Sequence, residues 1–151
     1  MPQAAHKSDP VTPVAMRFGD DGLVPNNPTL PLLVYRGAID VSGQKDPAAR
    51  VERIFARNGW DDSWRNGIYS FTHFHSMIHE VLGVAAGRAR VRFGGKAGEE
   101  LEIEAGDVAV PRVDVEGVLG IPEGDPIAHG TALGGWRRAN IGKAPVCARA
   151  S

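Results

Sequence analysis

An all-β, mainly antiparallel fold, either a barrel or a double-sheet jelly roll with one helix ahead of most strands, is predicted by three features of this 151-residue sequence. Arg88-Ala89-Arg90-Val91-Arg92-Phe93 alternates strictly between charged and apolar residues, and Glu100-Leu101-Glu102-Ile103-Glu104 does so again. Tight-turn pairs, Gly94-Gly95 and Gly106-Asp107, separate these short runs from one another and from Val108-Ala109-Val110-Pro111. Helix signals are confined to one place, before residue 60. No solenoid repeat is visible.

Taken in order, the polar, proline-containing start as far as Pro13 has no periodicity and predicts a flexible N-terminal arm over residues 1–16, with a single domain over 17–151. The chain is long enough for one domain with a real core. Phe18 to Pro28 is dense in turn formers and reads as an ordered loop. Leu32-Leu33-Val34-Tyr35, bounded by Pro31 and Gly37, reads as a buried or edge strand. Asp46 can cap a helix, Pro47 suits its first position, and Val51, Ile54 and Phe55 make its apolar stripe. Asn58-Gly59 closes it, so the helix spans about residues 47 to 57. Trp60 and Trp64 follow as packing anchors for that helix, in preference to a ligand cage. Strands are then expected at Ile68 to His75, Glu80 to Ala85, Arg88 to Phe93, Glu100 to Glu104 and Val108 to Pro111, with Ala89, Val91 and Phe93 inward and the three arginines on a solvated face.

Composition excludes several function classes. The formal net charge is -1 and charges of both signs are scattered, so no face suits a phosphate backbone and nucleic acid is not an expected partner. The single cysteine, Cys147, cannot form an internal disulfide and fits a reducing compartment, where it reads as a spectator. The start of the chain carries no apolar leader core, and no stretch approaches a membrane span. A cytoplasmic protein with no membrane partner is expected.

The stretch richest in chemistry is Gly67 to Gly87, GIYSFTHFHSMIHEVLGVAAG, which crowds His73, His75, His79 and Glu80 together. On an extended strand His73 and His75 point to one face, near enough to share one metal ion. Counting on by twos reaches His79 and leaves Glu80 on the other face. If the chain turns near Ser76 to Ile78, Glu80 rejoins the histidines and shares a face with Leu82 and Val84. Two histidines and a carboxylate with open positions suit Fe(II), Mn(II), Ni(II) or Zn(II). The competing reading is a solvated strand edge. A zinc-protease HExxH reading fails, because position 83 is Gly.

Gly67, His73, His75, Glu80 and Gly87 match the first cupin motif, G-x5-H-x-H-x3-4-E-x6-G, at every fixed position. With the loop Pro25 to Pro31, the LPLLVYRGA run, Asn58-Gly59-Trp60 and Trp64 to Tyr69, residues 17 to 111 resemble the small bacterial single-domain cupins. The resemblance implies a double-stranded β-helix or jelly-roll barrel with one N-terminal helix, a divalent metal on His73, His75 and Glu80 inside the barrel, a small-molecule ligand and a homodimer. His79, aimed away from Glu80, would sit behind the ligands or at the rim.

The second motif, G-x5-P-x-G-x2-H-x3-N, is where the chain departs from that family. Four residues separate Gly106 from Pro111, Val113 holds the glycine position, and Glu116 stands where the fourth ligand, a histidine, is expected. Glu116 is a candidate replacement ligand, set against a solvent-exposed acid, and His129 a weaker one, set against a solvated loop histidine. The segment from Pro111 to Gly117 is shortened by most of a strand, so an incomplete C-terminal end of the barrel is expected. Two functions follow. One is a metal-binding cupin, oxygenase- or isomerase-like; the other is a small-molecule-binding or structural cupin that lost its metal with the second-motif histidine.

Overall fold

A computed structural model describes residues 10–20, 22, 26–60, 62–65, 80–111 and 119–120 of the chain. Two strands come first. β1, Val14–Met16, falls in the stretch expected as an arm; it runs antiparallel to β2, Leu32–Tyr35, with Val14 opposite Val34 and Met16 opposite Leu32. A helix follows, α1, Pro47–Arg57, with the bounds that its caps predict. The Asp46 carboxylate accepts from the Ala49 N–H at 3.0 Å, which satisfies a donor left over in the first turn. At the other end the Asn58 and Gly59 N–H groups bond to the Phe55 and Ala56 carbonyls, and Gly59 takes the left-handed φ of 79° that stops the helix.

The remaining elements are short strands. β3 is Leu82–Gly83, β4 Arg88–Phe93, β5 Glu99–Glu104, β6 Val108–Pro111 and β7 Leu119–Gly120. They form two sheets, one in the order β1-β2-β6-β3 and one in the order β5-β4-β7, and each of their pairings is antiparallel. Among the described residues the fold is thus mainly antiparallel β with one helix, as expected. Among the described residues the two sheets remain separate and no barrel closes. The expected strand Ile68 to His75 lies outside the described residues. Among the described residues no helix is long and apolar enough to cross a membrane.

Packing explains two kinds of strand sequence. One apolar cluster joins Ala48, Val51 and Phe55 of α1 to Tyr35, Val108 and Val110 of the four-stranded sheet, with Trp60 beside them. A second cluster joins Leu32, Val34, Leu82 and Ala109, on the same sheet's other side, to Val91, Phe93 and Ile103 of the three-stranded sheet. β2 and β6 are therefore covered on both faces, and a strand in that position reads as an unbroken apolar run. β4 and β5 are covered on one face, so they alternate. Phe55 is 0% and Val51 1% exposed, and full burial of such side chains stabilises by roughly 1.5–3 kcal/mol each. Trp60, 4% exposed, is the packing anchor predicted for it.

The antiparallel register of β4 and β5 places Arg88 opposite Glu104, Arg90 opposite Glu102 and Arg92 opposite Glu100. The outward arginines thus meet an outward row of glutamates, and Arg92 and Glu100 form an ion pair. Opposite charges paired directly across strands favour this register over a slipped one.

Candidate functional site

Glu80 is 5% exposed, and with Asp107 it is one of the two buried acidic side chains among the described residues. Its neighbours divide by period two. Val81 and Ala85 join the cluster under α1, whereas Leu82 and Val84 face the space between the sheets. A carboxylate withdrawn from water is stabilised by hydrogen bonds or by a cation.

The other residues expected at a metal centre, His73, His75, His79, Glu116 and His129, lie outside the described residues. Among the described residues no group of three His, Cys, Asp or Glu side chains is gathered as a metal cluster. Of the predicted ligands, Glu80 alone is described.

Two contacts hold the backbone next to Glu80. A Cβ on Gly83 would come within 2.7 Å of both Phe55 Cζ and Val51 Cγ1, so the absence of a side chain lets α1 settle directly on β3. The Val84 N–H donates to the Asp107 carbonyl at 2.9 Å, and the Gly106 N–H donates to the Val84 carbonyl at 2.8 Å. Gly106 has a φ of 97°, and a Cβ there would stand 2.7 Å from the Ile39 carbonyl oxygen. Both conditions call for glycine at this turn.

Sequence reasoning took Gly106-Asp107 as a turn and missed the role of the carboxylate. Asp107 is 3% exposed, and its Oδ1 accepts from the Gly37 N–H at 2.8 Å. Its Oδ2 accepts from Arg36 Nη1 at 2.7 Å and from the Glu104 N–H at 3.1 Å. Arg36 also donates to the Glu102 carbonyl at 2.5 Å. One buried side chain thereby joins the end of β2 to the turn between β5 and β6, beside the backbone that carries Glu80. A lone aspartate after a glycine carries no signal of a partner 71 positions away in the chain.

A second arrangement that the sequence does not announce lies at the start of α1. The Arg65 guanidinium forks onto Glu52, with Nε to Oε1 at 2.7 Å and Nη2 to Oε2 at 2.9 Å, and both its Nη atoms reach Asp46 Oδ2 at 3.2 Å. The chain leaving the helix therefore returns along it, through Asp62 at a left-handed φ of 55°, to dock at its first turns. The Ala49 N–H, with Arg65, holds the Asp46 carboxyl below its ordinary value. Hydrogen bonding to Glu52 and then to Asp46 raises the affinity of Arg65 for its proton. Arg65 is the last described residue before the segment carrying His73 and His75.

In its described residues the molecule is an antiparallel two-sheet β protein with a helix packed on one sheet and a buried glutamate, Glu80, shortly before β3. Over 93 residues the chain is 39% identical to a protein of Bacillus subtilis (strain 168) named Uncharacterized protein YjlB, an alignment covering 62% of this chain and 53% of that protein. The chain thus spans about half the length of the curated relative it matches. No family model matches the chain, and no solved structure matches it.

Proposed function

We propose that the chain is a divalent-metal-binding cupin-domain protein in which His73, His75 and Glu80 hold one Fe, Mn, Ni or Zn ion. The observation that carries this reading is the burial of Glu80, at 5% exposure, a few positions after a His-x-His pair. The donor set fits. Two imidazoles contribute neutral nitrogen donors, and the carboxylate offsets part of the ion's charge. When bound, the ion would supply a Lewis-acid or oxygen-activating centre. The chain's own part is to present these donors and to keep bulk water away from the carboxylate. Glu116 is the candidate fourth ligand, and His79 orients or borders the set without joining it.

The specific activity we infer is oxygenase- or isomerase-like chemistry on a small molecule. The protein would act as a cytoplasmic homodimer with neither nucleic acid nor membrane as partner; the near-neutral charge and single cysteine support the setting. A second reading, a small-molecule-binding or structural cupin without metal, is favoured by one observation: Glu116 stands where the second motif calls for histidine.

Metal content of the purified protein, measured by mass spectrometry for the wild type and for His73→Ala and His75→Ala, separates the two. About one ion per chain that is lost in both variants is the expected result. Substoichiometric metal unchanged by either substitution would overturn the metal-binding reading in favour of the second.

A further inference from the structure

We draw no further inference here: the strongest candidate, the exposed apolar side chains at the β1 edge of the four-stranded sheet, Val11 and Val14 with Leu30 of the adjoining loop, carries nothing because nothing in the structure shows what covers them.

Discussion

The Asp107 carboxylate accepts a hydrogen bond from the Arg36 guanidinium at 2.7 Å, from a position only 3% exposed at the foot of β6. Arg36 itself stays 47% exposed, so most of the stabilisation lies with the backbone donors Gly37 and Glu104 that share the same carboxylate. Asp107→Ala would leave both N–H groups without this acceptor; Gly37 and Glu104 are exposed residues, so water replaces it in part and each lost bond costs about 0.5–1.5 kcal/mol. Urea unfolding should show Asp107→Ala losing about 1–3 kcal/mol, while Arg36→Ala loses distinctly less. Equal losses would place the stabilisation in the ion pair instead.

Gly83→Ala tests the seating of α1 on β3. The added methyl meets Val51 and Phe55, which are fully packed and cannot yield without opening the core. Such overpacking costs about 1–3 kcal/mol. A lowered denaturation midpoint at unchanged m-value is expected, and truncating the obstacle with Val51→Ala in the same chain should recover part of the loss specific to Gly83→Ala.

The facing charge rows of β4 and β5 predict a salt-sensitive effect. Arg90→Glu places two carboxylates directly opposite each other at Glu102, which should destabilise by about 0.2–1 kcal/mol. Added salt screens that repulsion and narrows the gap to the wild type. A gap that widens with salt would contradict the register.

Acid stability follows from the start of α1. Asp46 titrates below its ordinary 3.8, first because of the Ala49 N–H and then because of Arg65, and Asp40 is lowered by its hydrogen bonds from Ser42. A carboxyl depressed in the folded state stabilises the fold above its unfolded value, and that contribution is lost as pH falls through the folded value. Asp46→Asn keeps an oxygen at the cap but does not titrate. Its stability should therefore fall less steeply than that of the wild type below pH 3.8, with the residual slope including Asp40. Unfolding curves collected from neutral pH down to pH 3 check the difference.

Metal removal bears on the proposed site. An ion that binds only the folded chain stabilises it by about 2.7 kcal/mol at a hundredfold excess over Kd. A chelator should then lower the Tm of the wild type, and Glu80→Gln should both weaken metal retention and shrink the chelator effect. A chelator effect of wild-type size in Glu80→Gln would remove the carboxylate from the ligand set.

Much of the architecture was legible because it is written in local patterns. Asp46, Pro47 and Asn58-Gly59 mark both ends of α1, and the strict alternation of β4 marks its bounds and its buried face. β1 was missed because three residues, Val14 to Met16, are too few to show a period after a proline-rich start. The expected strand from Glu80 to Ala85 is reduced to a ladder at Leu82 and Gly83, since β6 is its described partner and pairs with it only there. Of the candidate site, the sequence singled out Glu80 by its neighbours, and Glu80 is buried.

By itself, then, the sequence determined α1 and the strands β2, β4, β5 and β6 and which side of β4 and β5 faces inward, because helical and strand periods are properties of adjacent residues. Tertiary structure alone decided that the four-stranded sheet is covered on both faces, that the β4 arginines meet the β5 glutamates, and that Asp107 and Arg65 reach back to Arg36 and to Asp46 and Glu52. Each of these depends on which distant residues are brought next to one another. No local period encodes that distance; packing, register and the few donors left unsatisfied at turns select it.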